Sequence, residues 1–212
     1  MHKLNRDPVA PAGLRKYRHG RDTWGMSSPD GQERRAIWEK LDAMQGGRCA
    51  YCEAMLIEDD RHIEHFRQRN RYPQGTFSWG NLFGSCNRSG TCGDHKDECG
   101  VYPPADLIKP DMDDPERFLL FDAQGGVSPR ANLDEQQRHR AVETIRILNL
   151  NTELRQIRFS EVQGYQQTAE YFAAMAAAFP VEEWWPLYQE ELQKTAALPF
   201  ATAIRHVLTR QA

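Results

Sequence analysis

The cysteines of this chain are spaced so that they can tie its first half into a knot. Cys49-x2-Cys52 and Cys86-x5-Cys92 frame a stretch reading His62-Ile63-Glu64-His65-Phe66, and Cys99 follows. Closely spaced pairs separated by a long insert are better explained as thiolate ligands than as disulfides. Structural zinc takes four tetrahedral ligands, and two short-spaced pairs supply them by joining distant segments. Cys49, Cys52, Cys86 and Cys92 are the expected quartet. The second spacing exceeds the usual x2 to x4, so Cys99 stands as an alternative to Cys92 and otherwise as a bystander thiol. A knot of this kind would fix the base of the intervening hairpin, which alone would be barely stable.

With 212 residues, 40% hydrophobic and 27% charged, the chain can bury a core as one medium domain or as a small domain with helical additions. No apolar run approaches the roughly 18 residues of a membrane span, and the opening MHKLNRDPVAP has no hydrophobic stretch of the signal-peptide kind. A cytoplasmic chain without a membrane partner is expected. The formal net charge is −3, but residues 1–71 carry 14 Lys and Arg against 11 Asp and Glu, whereas residues 72–212 carry 13 against 19. Phosphate contact depends on local clusters of basic groups. Arg15, Lys16, Arg18 and Arg21 form one, and Arg61, Arg67, Arg69 and Arg71 another. The acidic remainder argues against nonspecific wrapping of DNA.

Residues 1–28 are rich in Pro, Gly and basic side chains without periodicity and read as an irregular or extended lead-in. Ser28-Pro29-Asp30 signals a helix with Ile37, Trp38, Leu41 and Met44 on one face, stopped by Gly46-Gly47. Arg61 to Phe66 reads as a short strand with His62 and Glu64 on one face and Ile63 and His65 on the other. A surface loop over Arg67 to Ser78 leads to a return strand over Trp79 to Phe83, and a short helix is expected near His95. Phe118 to Phe121 and Val127, joined through Gln124-Gly125-Gly126, read as a small hairpin. The remainder is helical. Asn132 or Asp134 caps a helix bearing Ala141, Val142, Ile145 and Leu148; Asn149 to Asn151 breaks it; Thr152 caps a longer one through Phe172; and Pro180 and Pro199 punctuate the last segments.

Hydrolysing a phosphodiester requires a deprotonated water, neutralised charge on the phosphate and help for the departing oxygen, which a general base and one divalent cation can provide. His65 suits the base, since a free imidazole accepts a proton near neutral pH. Glu64 beside it offers a hard oxygen ligand for Mg²⁺ or Mn²⁺. A lone His-Glu pair on a strand is more often structural; its place inside the cysteine frame raises the chemical reading.

Taken together, Cys49-Ala-Tyr-Cys52-Glu53, His62-Ile-Glu-His65-Phe66, Trp79-Gly-Asn81-Leu82-Phe83, Ser85-Cys86 and Cys92-Gly-Asp-His95-Lys96 resemble an HNH endonuclease of the ββα-metal fold. More narrowly, they are similar to the HNH proteins of retron and Septu anti-phage systems, the PtuB type, in which the nuclease works beside an ABC-like ATPase. The resemblance covers Cys49 to Lys96, and more weakly the acidic hairpin and the Ala141 to Leu154 helices. It implies an α+β fold: a ββα-metal (HNH) core with a four-cysteine zinc knot, an N-terminal helix and a C-terminal helical region. The implied division is an N-terminal arm over 1–28, a nuclease core over 29–104, and a small hairpin with helices over 105–212.

By position, the resemblance makes His65 the general base, Glu64 the acidic cation ligand, and Asn81 the residue whose amide holds the His-bearing loop. His or Asn commonly follows the last cysteine. Here Gly93 stands there, so His95, two residues later, is the expected metal ligand, with Asn87 or Asp94 as substitutes. Lys96, Arg67, Arg69 and Arg71 become candidate nucleic-acid contacts, and His62 an orienting residue behind the ligands or an extra ligand. The expected activity is metal-dependent hydrolysis of DNA, giving 5′-phosphate and 3′-hydroxyl ends, as a defence effector. A zinc-stabilised binding module without catalysis, or a nuclease acting on RNA such as tRNA, are the alternatives. A partner would dock on residues 1–28 or 180–212.

Overall fold

A computed structural model describes residues 1–25 and 28–209. Residues 26 and 27 of the expected lead-in, and 210–212 of the C-terminal region, lie outside the described residues. The architecture is α+β, with two separate two-stranded antiparallel sheets among helices.

The first helix, α1 (Gly31–Gln45), forms where its cap and stop signals predict. The Asp30 carboxylate accepts from the Gln32 and Glu33 N–H groups, and Gly46 closes the helix at φ 63°, a left-handed conformation that glycine adopts without strain. Its face of Ile37 and Leu41 packs with Leu14, Ile63, Trp79 and Leu82 as a small core between α1 and the first hairpin. That hairpin pairs β1 (Arg61–His65) with β2 (Leu82–Cys86), with Glu64 opposite Phe83. The return strand therefore starts three residues later than its sequence suggests. Trp79–Asn81 is a 3-10 turn instead, because the Trp79 indole N–H donates to the Asp7 carbonyl at 2.8 Å and the Arg6 guanidinium donates to the Trp79 carbonyl at 3.0 Å.

Gln45 joins α1 to β2 as an extra strand partner would. Its Nε2 donates to the Gly84 carbonyl at 3.0 Å and its Oε1 accepts from the Gly84 N–H at 2.7 Å. A Cβ on Gly84 would lie 2.8 Å from the Trp38 ring and 3.0 Å from Gln45 Nε2. Gly84→Ala is accordingly expected to cost about 1–3 kcal/mol as an overpacked core site, read as a lower melting temperature with unchanged metal content.

The short helix α2 (Cys92–Glu98) follows β2 and packs against it. Beyond it lie the second hairpin, β3 (Leu119–Phe121) with β4 (Val127–Pro129), and the helices α3 (Glu135–Ile147), α4 (Glu153–Ala178), α5 (Val181–Thr195) and α6 (Ala201–Thr209). Asp134 caps α3 in a reciprocal box with Gln137, satisfying two otherwise orphaned donors. Thr152 precedes α4 but makes no side-chain cap. The main core runs without a break from the cysteines and Phe83 through Leu119 and Leu154 to Phe200 and Val207. The lead-in packs onto this body rather than extending from it: Met1, Leu4 and Leu14 are buried, and the Leu4 N–H donates to the Pro110 carbonyl at 2.8 Å. Removing 1–28 would thus strip core residues, so that truncation reads out folding before it reads out any partner.

Candidate active site and metal centre

Two elements of the first hairpin and the helix after it converge on one region. The Sγ atoms of Cys49, Cys52, Cys86 and Cys92 lie within 4.8 Å of one another, and all four residues are buried. Tetrahedral sulfurs around zinc at about 2.3 Å stand about 3.8 Å apart, and Cys52 Sγ to Cys86 Sγ measures 3.9 Å. Hydrogen bonds from its three neighbours hold the Cys49 thiol well below the usual range against the opposing pull of burial, while the Cys49 thiolate pushes Cys52 and Cys92 well above it. Like charges at this distance cannot all form unless a cation sits among them. The quartet is a set that could hold a metal such as zinc. Cys99 stands outside it, its sulfur turned to the Lys96 carbonyl.

Two of the positions in the knot hold non-glycine residues in left-handed backbone: Cys92 at φ 51° and Glu53 at φ 67°. Such residues persist only where surrounding contacts fix them. Cys92 is held by its sulfur neighbours and by an N–H bond to the Leu148 carbonyl at 2.9 Å. The buried Glu53 carboxylate accepts from the Thr202 N–H at 2.9 Å and the Thr202 hydroxyl at 2.6 Å, and pairs with the Met1 amine at 2.6 Å. The cysteine turn is thereby pinned to α6.

At the end of β1, the His65 ring is fixed rather than free. Nε2 lies 2.9 Å from the Thr76 carbonyl; a carbonyl only accepts, so Nε2 carries the proton and Nδ1 keeps its lone pair. Burial pushes His65 down to about 4, with the Thr76 bond and the Glu64 charge pulling the other way. The ring is covered, contrary to the open presentation its role suggests: only 5% of the residue is exposed, and Trp24 stands edge-on to it at 4.5 Å between centroids. Trp24 and Thr76, which flank the ring, both line an open cleft of about 640 Å³ that also carries Arg21, Gln68, Arg69 and Asp97. No sequence signal marks Trp24, a lone aromatic in an irregular segment, and none can mark a backbone carbonyl.

Asn81 braces the loop after β1. Its Oδ1 accepts from the Arg67 N–H at 2.7 Å, and its Nδ2 donates to the Arg67 and Gly75 carbonyls at 3.2 and 3.1 Å. Asn81→Asp keeps the acceptor but removes both donors, facing two carbonyls with a carboxylate. About 1–3 kcal/mol of lost stability is expected, with His65 displaced, measured by thermal melting and by the histidine ring resonances in NMR.

Glu64 is 2% exposed. Its Oε1 pairs with Lys96 Nζ at 2.7 Å, and its Oε2 lies 3.3 Å from His62 Nε2. Burial opposes its ionisation, but His62 and Lys96 hold it below the ordinary carboxylate range. Lys96 is fully buried between Glu64 and Asp97, so it is not a surface contact for phosphate. Arg61 is likewise engaged, with the Asp42 carboxylate at 2.8 Å and the Trp38 ring at 4.0 Å. Arg67, Arg69 and Arg71 are exposed. The Nδ1 of His95, the expected cation ligand, donates to the Ile147 carbonyl at 2.9 Å at the end of α3. Among the described residues, the cysteines form the one group of three or more metal-ligating side chains.

No family model matches the chain. Two known proteins do. One, named as an HNH endonuclease of retron Vc95 from Vibrio cholerae serotype O1 biovar El Tor, is 26% identical over 125 residues, 56% of this chain and 58% of that protein. The other, Septu protein PtuB of Bacillus thuringiensis, is 30% identical over 97 residues, 42% of this chain and 36% of that protein. The chain is similar to HNH endonucleases of the anti-phage type. The resemblance read from its motifs and the relatives found by comparison agree, and the matches span from about a third to somewhat over half of each relative's length. No described helix is long and apolar enough to cross a membrane.

Proposed function

We propose that the chain is a metal-dependent HNH endonuclease whose β1, β2 and α2 form a ββα-metal core, cleaving phosphodiester bonds, in the first instance of DNA, as an anti-phage effector. The observation that carries this reading is the pairing, at one strand end, of an imidazole with a fixed tautomer and a buried carboxylate that His62 and Lys96 hold ionised. It is supported by the names of the two relatives. In the same reading the cysteine quartet holds structural zinc, and an ATPase partner acts beside the nuclease.

His65 does the proton chemistry. With Nε2–H committed to Thr76, Nδ1 takes the proton of the attacking water as its oxygen bonds to phosphorus and the bond from phosphorus to the 3′-oxygen breaks. The 3′-oxygen leaves as a hydroxyl once protonated from solvent, and the 5′ side keeps the phosphate. Asn81 keeps the loop from Arg67 to Gly75 in the shape that sets Thr76 under the ring. Arg69 and Arg21 line the cleft and suit the nonbridging phosphate oxygens. Glu64 fits a cation at its Oε2, which sits in a cradle that a Cβ on Gly93 would fill at 2.7 Å, while Lys96 pairs with Oε1. A Mg²⁺ or Mn²⁺ ion held there supplies charge neutralisation on the phosphate and the departing oxygen.

Purified zinc-loaded protein incubated with plasmid DNA and, separately, with tRNA tests the reading. Nicking or linearisation that needs added Mg²⁺ or Mn²⁺ and yields 5′-phosphate ends is the expected result. Cleavage of tRNA alone would move the substrate to RNA, and cleavage of neither under any divalent ion would leave a zinc-stabilised binding module.

A further inference from the structure

We propose that His62 supplies the imidazole of the cation site in the place left by Gly93, so that the ion is held between His62 Nε2 and the Glu64 carboxylate. The inference rests on the hydrolase reading above for the ion's role, and on geometry for its location. Space comes first. A Cβ at Gly93 would stand 2.7 Å from Glu64 Oε2 and 2.9 Å from His62 Nε2, closer than real Cβ contacts. A side chain at position 93 and the His62 ring therefore compete for one volume, and glycine is what admits the ring from β1.

Ligand spacing comes second. His62 Nδ1 lies 2.7 Å from the Asn87 Oδ1 acceptor, so Nδ1 carries a ring proton and Nε2 is the nitrogen left to bond an ion. Nε2 lies 3.3 Å from the carboxylate Oε2, a contact in which a divalent cation would take the place of the Nε2 proton. Adjacent ligands of an octahedral Mg²⁺ or Mn²⁺ ion, each at about 2.1 Å, stand about 3 Å apart. An acceptor on Nδ1–H fixing the tautomer and aim of a metal-binding histidine is also the usual supporting arrangement.

Access comes third. The Glu64 side chain is 3% exposed and that of His62 33%, and His62 opens onto a second cleft of about 450 Å³ with Asn87, Asp94, Asp97 and Glu98. Its acidic wall favours entry of a divalent cation, and its room admits the waters such an ion keeps. Asp97 belongs to the rims of both clefts, so the ion would sit where the His65 side and the His62 side adjoin.

Mn²⁺ is the probe, added to the zinc-loaded full chain and read by the EPR signal of the free ion and by the nitrogen modulation of the bound one. Wild type is expected to bind Mn²⁺ with a directly bonded nitrogen. His62→Ala should lose that nitrogen and weaken binding by about 10–100-fold, Gly93→Ala should weaken it by displacing the ring, and His95→Ala should change neither. Zinc content and melting temperature report whether each variant is folded. A nitrogen signal that survives in folded His62→Ala, or that disappears in folded His95→Ala, overturns the assignment. Should His62→Ala not fold, the His95→Ala protein decides alone. His65-dependent cleavage alongside a failed assignment would leave the hydrolase reading intact. Mn²⁺ held through His62 by a chain that cleaves neither DNA nor RNA would uphold the site and remove the hydrolysis.

Discussion

Cys86→Ser is expected to strip the structural metal and abolish cooperative folding of the hairpin region. Cys86 ends β2, Cys92 begins α2, and Cys49 and Cys52 belong to the turn that Glu53 pins to α6. One ion among four sulfurs would join all of these. Structural zinc contributes about 10–16 kcal/mol of apparent binding energy near neutral pH, against a net stability of about 5–15 kcal/mol for a whole protein. The main core cannot absorb that loss, because the four cysteines belong to it together with Phe83, Leu154 and Val207. Elemental analysis should give one zinc per wild-type chain and none for the variant, and circular dichroism should show the melting transition lowered by about 20 °C or more, or lost. Cys99→Ser is the control, expected to keep both zinc and transition. A Cys86→Ser protein melting like wild type would remove the metal knot from the fold.

His65→Ala is expected to lower the cleavage rate by about 10²–10⁴-fold, the usual contribution of a positioned general base, while zinc content stays at the wild-type value. The Thr76 carbonyl loses its donor but lies at a cleft wall, where water can replace it, so the stability cost is about 1 kcal/mol. The same burial that covers the ring sets its pH dependence. A base must be unprotonated to act; with His65 held down to about 4 in the free chain, kcat/KM should persist from neutrality to about pH 5 and fall only below that. An acid limb near an ordinary histidine's value would mean that bound phosphate, or movement of Trp24, raises the ring's basicity before reaction. Equal rates in wild type and variant would remove His65 from the chemistry.

What could be read from the chain alone is what local rules govern. The Asp30 and Asp134 caps, the Gly46 stop, the β1 strand, the β3–β4 hairpin and the spacing of the cysteines each depend on neighbours within a few residues, and the structure has all of them where sequence puts them. Errors arise where a remote partner decides. Trp79 looks like a strand residue but is drawn into a turn by Asp7 and Arg6, and Lys96 and Arg61 look like free surface charges but are spent on Glu64 and Asp42. A sequence displays a charge without its counterion. The same limit hid the cover over His65, since Trp24 lies far from β1 along the chain, and the turning of His95 toward α3. The absence of a side chain at Gly93 was legible; the ring that the gap admits was visible only in three dimensions.

Cleavage rate measured against Mn²⁺ concentration, in zinc-loaded wild type, Glu64→Gln and His65→Ala, tests most directly whether one strand end brings a base and a cation ligand to the same phosphate. Glu64→Gln should need a higher Mn²⁺ concentration for half its maximal rate, and His65→Ala should saturate near the wild-type concentration at a rate lower by about 10²–10⁴-fold. Wild-type cleavage indifferent to Mn²⁺, or a His65→Ala curve lying on that of wild type, would contradict it.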